Sequence, residues 1–179
     1  MKDGSPVNVG AFETTVHAGA HADAPLHYQA DGPSAAEVGL EAYLGPCRLV
    51  DARGCKAKIG REFVQEVLPA PPERVLFRTY ERFPHDAWLS DFTAVDAAAI
   101  VWLAERGVRL IGVDSPSLDP QDSKTMDAHL AVLAADMRVL EGLVLDDAPP
   151  GDYELIALPL KLAGLDASPV RAVLRELTR

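Results

Sequence analysis

The sequence predicts an α/β fold in which a mixed, curved or barrel-like β-sheet carries flanking helices. Short apolar runs typical of strands are intermixed with amphipathic segments typical of helices. These helical segments are too few for a regular, doubly wound alternation of strands and helices. The chain has 179 residues, which fits one ordinary domain with a core of useful size. Because no linker or composition shift interrupts it, we expect a single domain over residues 1–179.

The first half of the chain is predicted to hold three strands and one short helix. VNVGAFETTVHAG alternates loosely and contains Val, Phe and Thr, so it predicts an extended strand across about residues 6–18. GPCRLVDA predicts a second strand, entered through Gly45 and Pro46. GREFVQEVLP suits a short helix closed by Pro69, and ERVLFRTY predicts a short strand.

The second half contains the clearest helix, TAVDAAAIVWLAERG, for which Thr93 can act as cap, with Asp96 three residues later and Gly107 at the end. VRLIGVD follows as a buried strand, and TMDAHLAVLAADM predicts a helix with Asp127 as its cap. RVLEGLVLDD and YELIALPLKL predict strands. SPVRAVLREL predicts a short C-terminal helix with Pro169 in its first turn.

Amino-acid composition indicates which classes of binding partner are unfavourable. A formal net charge of −10 disfavours nucleic acid and anionic membranes, because both reward clustered Lys and Arg. Cys47 and Cys55 are too few for a disulfide framework, so we expect reduced structural thiols. The chain starts without an apolar signal region, and no run approaches the ~20 apolar residues of a membrane span. We therefore expect a cytoplasmic protein that acts on a small molecule.

The stretch VHAGAHADAPLHY, residues 16–28, holds three of the five histidines. His17, His21, Asp23 and His27 all occupy odd-numbered positions, so a strand would direct them to one face. An ordinary inward face carries apolar side chains, whereas this one carries imidazoles and a carboxylate. The pattern therefore predicts a metal site, a catalytic site or both.

Strand geometry constrains how such a site forms. On a straight strand the Cα atoms of His17 and His21 would lie ~13 Å apart, too far for both rings to reach one ion at ~2.0–2.1 Å. Gly19 permits the bend that this requires, while Pro25 argues against a helix. Two imidazoles and a carboxylate suit zinc, manganese or ferrous iron. His27, beyond the bend, is a candidate general base or proton shuttle.

The same stretch carries a resemblance. HAGAHADAPLH closely resembles the H-x-G-T-H-x-D-A-P-x-H signature of the metal-dependent cyclase-like hydrolases, and within them the bacterial kynurenine formamidases, or arylformamidases. The resemblance covers almost the whole chain and implies a cyclase-like fold of the swivelling β/β/α type. The further matching stretches are PVNVG, YLGPCR, LIGVDSPSLDPQDSKTMDAH, VLEGLVLDD and DYELIALPLKLAGLDASPVRAVLRE.

The resemblance implies a binuclear metal centre, usually of zinc, with manganese as the alternative. Carried over residue by residue, it places His17, His21 and Asp23 on the first ion. Asp23 also bridges to a second ion bound by His129, and Glu141 contributes to both. By itself, His129 reads as a helix-surface residue. Glu141 is unusual in an apolar run, because an unpaired buried charge is costly.

The resemblance also implies an activity, which is the hydrolysis of N-formyl-L-kynurenine to L-kynurenine and formate in tryptophan degradation, by a homodimer. Water activated at the metal centre would attack the formamide carbonyl, with His27 as proton donor and acceptor. Two alternatives stay open. One is a related hydrolase of a cyclic amide such as isatin, and the other is a catalytically impaired metal-binding remnant.

Two departures from the family pattern modify these expectations. Ala20 stands where the signature usually has Thr, so a hydroxyl near the metal is lost, which we expect to tune the site without abolishing it. Family members usually carry a further N-terminal segment with an aromatic residue that packs on the substrate, and we expect this chain to lack it. His85, in RFPHDAW, matches no motif and is interpreted as a loop residue.

Overall fold

An eight-stranded mixed sheet, curled into a half-barrel, organises the molecule. The computed structural model describes residue 4 and residues 6–177. The strands are β1 (His21–Asp23), β2 (Leu44–Asp51), β3 (Lys58–Ile59), β4 (Arg74–Arg78), β5 (Ala94–Val95), β6 (Leu110–Val113), β7 (Arg138–Glu141), β8 (Gly151–Ile156), β9 (Ala167–Pro169) and β10 (Val173–Glu176). The large sheet has the order β10-β8-β2-β4-β6-β7-β1-β9, while β3 and β5 form a separate pair. The predicted fold class is confirmed.

The centre of the sheet is parallel and its margins are antiparallel. β2, β4, β6 and β7 pair in parallel, and each crossover between them carries a helix. The helices are α1 (Arg61–Val67), α2 (Ala97–Ala104) and α3 (Asp127–Ala134). On the margins, β1 and β9 extend the sheet beyond β7, and β8 and β10 extend it beyond β2, all antiparallel. None of these helices is long and apolar enough to cross a bilayer.

Alternation along the strands divides the core into two apolar clusters, one on each face of the sheet. The face that packs against the helices is formed by side chains such as those of Val75, Phe77, Ile111 and Val139. The opposite face includes the side chains of Leu76, Leu110 and Leu140. Ala22 of β1 belongs to this second cluster. Its neighbours His21 and Asp23 therefore point to the helical side of the sheet.

Most of the predicted elements are confirmed, but both ends of the chain differ. Residues 6–18 form no strand, and Val9 and Phe12 are 89% and 86% exposed. Among the described residues, no strand pairs with this segment, so its alternating apolar residues do not become part of a sheet. The predicted C-terminal helix is also wrong, because β9 pairs with β1 and β10 pairs with β8. In so short a segment, hydrogen bonding to neighbouring strands determines the conformation more strongly than the helical spacing of apolar residues does.

The cap of α2 is displaced from the predicted Thr93. Asp96 is the N-cap, and its side chain accepts a hydrogen bond from the Ala98 amide at 2.8 Å. Thr93 instead donates its hydroxyl to the Lys56 carbonyl at 2.9 Å, because β5 occupies the residues that follow. Both aspartate and threonine suit the cap position, so the sequence alone could not distinguish them.

The buried guanidinium of Arg74 fastens a short 3-10 helix, Glu41–Tyr43, to the start of β4. Its Nε donates to the Ala42 carbonyl at 2.7 Å, and its Nη2 donates to the Glu41 carbonyl. Nη1 lies 3.1 Å from the carboxylate of Glu73. These carbonyls end a helical turn and require donors, and Arg74 supplies them.

Replacing Arg74 by Met should lower the free energy of unfolding by about 2–4 kcal/mol, because buried carbonyl groups lose charge-assisted hydrogen bonds. Urea denaturation measures this loss. Arg48→Met is the matched control, since Arg48 forms an exposed ion pair with Asp152 at 2.7 Å and should cost less than about 1 kcal/mol. Equal losses in both variants would contradict the role given to Arg74.

Candidate metal centre

The register of β1 against β7 builds the base of the site. His21 lies directly opposite Glu141, and Asp23 shares the face of His21 two residues further along β1. Nε2 of His21 is 3.4 Å from Oδ1 of Asp23 and 3.4 Å from Oε2 of Glu141. All three side chains are buried. Antiparallel pairing thus brings together two residues from distant parts of the chain.

Helix α3 contributes His129 from above the sheet. Its Nε2 is 3.4 Å from Oδ2 of Asp23 and 3.3 Å from Oε1 of Glu141. Each carboxylate therefore directs one oxygen towards His21 and the other towards His129. Glu141 also accepts a hydrogen bond from the Leu118 amide at 2.8 Å. The result is a symmetrical arrangement of two carboxylates between two imidazoles.

His17 reaches the same cluster from a turn, not from a strand. Gly19 adopts a φ of +69°, in the left-handed region, and reverses the chain between His17 and His21. Nδ1 of His17 then lies 3.3 Å from Oδ1 of Asp23. The predicted bend at Gly19 is therefore found, whereas the predicted strand around His17 is not.

Gly142 holds this turn against the sheet. It follows Glu141 directly and has a φ of +63°. A Cβ at this position would lie 2.5 Å from the carbonyl oxygen of Gly19. Any side chain here would push the turn away, so two glycines allow the close approach that brings His17 to Asp23.

The donor atoms fit a divalent cation. Among the described residues, Nε2 of His21, Nε2 of His129 and both carboxylate oxygens of Asp23 are buried without a hydrogen-bond partner, although such atoms are costly to leave unsatisfied. Their 3.3–3.4 Å separations match neighbouring ligands of a tetrahedral ion, which lie about 3.3 Å apart when the bonds are ~2.0–2.1 Å.

Hydrogen bonds to groups outside the cluster orient the two buried imidazole rings. Nδ1 of His21 donates to the Gly19 carbonyl at 2.8 Å, and Nδ1 of His129 donates to Asp119 at 2.6 Å. Because both partners can only accept, Nδ1 carries the proton and Nε2 faces the centre. The sequence analysis missed Asp119, which lies in a loop without periodicity.

Asp119 also replaces the predicted cap of α3. It accepts hydrogen bonds from the amides of Ala128 and His129, each at 3.0 Å. Asp127 is inside the helix, and the N-cap is Met126, in the left-handed region at a φ of 54°. One carboxylate from outside the helix therefore satisfies its first turn and orients the buried imidazole of His129.

The electrostatics of the cluster follow from burial and charge pairing. Burial by itself lowers the pKa of His21 and His129, but their carboxylate partners outweigh it and raise these pKa values to about 10 and about 11. Burial raises the pKa of Asp23, yet the three imidazoles hold that pKa well below its usual range. Without a cation, protonated imidazoles balance the charge of the carboxylates.

His27 lies at the rim of this centre, in a 3-10 turn, Pro25–His27. One nitrogen of His27, one of His17 and one oxygen of Asp23 lie within 4.8 Å of one another. Nδ1 of His27 and Nε2 of His17 each lie 2.9 Å from the same oxygen, Oδ2 of Asp166. The sequence analysis did not assign Asp166, because it stands apart from the histidine pattern.

A cavity of about 220 Å³ opens directly onto the cluster. His17 and His21 form one side, and the loop after β4 supplies an aromatic wall that includes Phe83 and Trp88. His85 is on this loop, as expected, but it also lines the cavity, and its ring lies 5.1 Å from that of Phe83. No sequence pattern indicated this second role.

Two buried or partly buried carboxylates anchor the aromatic loop. Asp114, at the end of β6, accepts hydrogen bonds from the Thr79 amide at 2.8 Å and the Tyr80 amide at 3.0 Å. Asp146 accepts from the Phe83 amide at 2.9 Å. Burial raises the pKa of Asp114 despite these donors. The cavity wall is thus anchored by one carboxylate directly after β6 and by another in the segment between β7 and β8.

A larger groove, of about 450 Å³, lies on the opposite face of the sheet. Its wall is mostly aliphatic, with Leu76, Leu143 and Leu155 among its members. It contains none of the clustered imidazoles. The smaller cavity is therefore the candidate active site.

Comparison with known proteins identifies the family of the chain. The Cyclase family model matches residues 3–120. The chain belongs to the Cyclase family. It is 59% identical over 175 residues to the kynurenine formamidase of Sphingopyxis alaskensis, covering 98% of this chain and 84% of that protein. It is 55% identical over 177 residues to the kynurenine formamidase of Erythrobacter litoralis, covering 99% and 81%.

Solved structures of Cyclase-like hydrolases share the fold. A potential metal-dependent hydrolase with cyclase activity superposes with a TM-score of 0.83 at 33% identity, covering 90% of this chain and 80% of that one. Isatin hydrolase A from Labrenzia aggregata, bound to benzyl benzoate, superposes with a TM-score of 0.76 at 27% identity, covering 88% and 72%. The curled sheet is therefore shared with hydrolases.

The raised pKa values of His21 and His129 predict opposite pH responses with and without metal. In metal-free protein, their contribution to stability is fully present below 6.5 and is lost as the pH rises through about 10 and about 11. Metal binding displaces these protons, so metal affinity should rise by about 1.4 kcal/mol per pH unit for each proton released.

The difference in Tm between zinc-loaded and chelator-treated protein should therefore widen between about pH 6 and about pH 8.5. A widening of at least about 5 °C is expected, because about 1 kcal/mol shifts the Tm of a chain this size by about 2–4 °C. Differential scanning calorimetry measures it. A difference that stays constant with pH would show that the imidazoles release no protons on binding.

Proposed function

We propose that this chain hydrolyses N-formyl-L-kynurenine to L-kynurenine and formate, a step of tryptophan degradation. The observation that carries the proposal is the aromatic cavity that opens directly onto a buried cluster of imidazoles and carboxylates. The 55–59% identity to proteins named kynurenine formamidase supports the choice of substrate. Such a site matches a substrate with an aromatic ring next to a formamide.

The chain's own residues would hold two divalent ions, with zinc as the first choice and manganese as the alternative. His17, His21 and Asp23 would bind the first ion. Asp23 and His129 would bind the second, and the two oxygens of Glu141 would contribute to both. When bound, such ions polarise a carbonyl group and lower the pKa of water towards neutrality.

The aromatic loop would bind the aryl ring of the substrate. Phe83 offers a ring on a backbone that Asp146 anchors through the Phe83 amide, and Trp88 donates its Nε1 hydrogen to Gln121 at 2.6 Å, which orients the indole. Aromatic pairs in such walls contribute about 0.5–1.5 kcal/mol beyond simple burial. With the ring held there, the formyl group would face His17 and His21 on the opposite side of the cavity.

His27 would carry the proton of the reaction. A water oxygen adds to the formyl carbon, and the imidazole of His27 accepts the proton that the water loses. The bond between that carbon and the aniline nitrogen then breaks, and His27 donates the proton to the departing nitrogen. The products are the free arylamine and formic acid, which releases a proton to solvent to give formate. Proton transfer by a positioned side chain typically contributes 10²–10⁴-fold, as an order of magnitude.

Hydrolysis of a cyclic amide such as isatin is the second candidate. The structural similarity to isatin hydrolase A favours it, because isatin also carries an aryl amide. The identity to that protein is 27%, well below the identity to the kynurenine formamidases. A metal-binding protein without hydrolytic activity is the third candidate. A single domain, a homodimer and a cytoplasmic location belong to the same proposal.

The proposal is tested with purified protein loaded separately with zinc and with manganese. We expect absorbance of kynurenine to develop with N-formyl-L-kynurenine and little turnover of isatin. Preferential turnover of isatin would favour the second candidate. Full metal content with no hydrolysis of either amide would favour the inactive metal-binding protein.

Metal content should follow the distribution of the ligands. Asp23→Asn should lose most of both ions, since Asp23 is common to them, whereas His129→Ala should lose about one of two equivalents. Elemental analysis after dialysis measures both. His85→Ala is the matched control, because His85 lines the same cavity outside the carboxylate cluster and should retain full metal. Unchanged metal in Asp23→Asn would contradict the bridging role.

A further inference from the structure

We propose that Asp166 is a positioning residue that fixes the tautomer and orientation of His27 for proton transfer. The inference rests on the proposed amide hydrolysis, in which His27 exchanges the proton. Neither the metal-directed cluster nor the aromatic wall includes Asp166. Among the described residues, its side chain forms hydrogen bonds with His27 and His17.

The first support is the geometry of the carboxylate. Oδ2 of Asp166 lies 2.9 Å from Nδ1 of His27 and 2.9 Å from Nε2 of His17. The centroids of the two imidazole rings are 4.3 Å apart. A single oxygen therefore holds the proton shuttle beside a residue directed at the metal centre.

The second support is the backbone that carries Asp166. Its carbonyl accepts a hydrogen bond from the Ala24 amide at 2.9 Å. The next residue, Ala167, begins β9 and pairs with Asp23 of β1. The backbone of Asp166 is thus tied to the strand that carries His21 and Asp23, which places its carboxylate at a defined position beside the centre.

The third support is the exposure of the two side chains. The side chain of His27 is 32% exposed and that of Asp166 is 38% exposed. Because part of the His27 side chain faces solvent, the hydrogen bond to Asp166 adds to ring contacts such as that with His17 in selecting one rotamer. Ordering that ring in advance removes an entropic cost from each turnover.

The contact also decides which nitrogen exchanges the proton. A carboxylate oxygen can only accept, so Nδ1 of His27 carries hydrogen and Nε2 keeps its lone pair. Nε2 accepts a proton from water as the bond between water oxygen and formyl carbon forms. It returns that proton to the aniline nitrogen as the carbon–nitrogen bond breaks. Nδ1 keeps its hydrogen bond to Asp166 throughout.

The kinetic test uses Asp166→Asn and a series of ring-substituted formanilides. The amide of Asn can donate to Nδ1 and so favours the wrong tautomer of His27. We expect kcat to fall about 10- to 100-fold for formanilides with poorly departing anilines, but less than about 3-fold for nitro-substituted ones, which need less proton donation. KM should change little. Because the comparison is made within one sample, incomplete metal loading cancels.

A second readout is independent of activity. Nitrogen-15 NMR of histidine-labelled, zinc-loaded protein reports the tautomer of His27, identified by the signal missing in His27→Gln. Wild type should show hydrogen on Nδ1, Asp166→Asn should shift it to Nε2, and Asp166→Glu should restore it. Asp31→Asn, at an exposed carboxylate outside the site, is the matched control and should leave the tautomer and the kinetics unchanged.

The outcomes separate the two proposals. If wild type hydrolyses formanilides and the Asn variant keeps the same leaving-group dependence and tautomer, the role of Asp166 is wrong. If zinc-loaded wild type hydrolyses neither formanilides nor N-formyl-L-kynurenine, the proposed function fails. The NMR comparison then still decides whether Asp166 sets the tautomer.

Discussion

The burial of two carboxylates between two imidazoles is the constraint on which the site depends. Asp23 and Glu141 lie on neighbouring antiparallel strands, where isolated negative charges would be prohibitively costly. Three elements meet this demand, because β1 contributes His21, α3 contributes His129 and the turn at Gly19 contributes His17. The negative charge is balanced either by protons on the imidazoles or by bound cations. Protons and cations therefore compete for the same imidazole nitrogens.

The buried cluster and the aromatic wall of the cavity come from different parts of the fold. The clustered imidazoles and carboxylates stand on β1, β7, α3 and the turn before β1, whereas the aromatic wall is a loop after β4. Asp114 and Asp146 tie that loop to the ends of neighbouring segments. Residues of the wall can therefore differ among Cyclase hydrolases without disturbing the cluster, which is consistent with relatives named for formamide and for isatin hydrolysis.

The sequence predicted the central strands β4 and β6 because each is buried and reads as a continuous apolar run, but it predicted only a mixed sheet and not the parallel pairing at its centre. It also predicted the bend at Gly19 from ligand reach alone, while the joining of His129 and Glu141 to His21 required the family resemblance. Asp166 escaped prediction, since a carboxylate in a loop carries no periodic signal. The C-terminal strands escaped it because distant pairing partners, not local preference, decided their conformation.

The pairing of β1 with β7 has a consequence for how the molecule folds. It joins the beginning of the chain to its later half, and contacts of that kind form slowly because a long loop must close first. Until β1 pairs with β7, His21 and Asp23 are separated from Glu141, and the cluster does not exist. Bound cations would therefore stabilise the folded protein and slow its unfolding, without accelerating the early steps of folding.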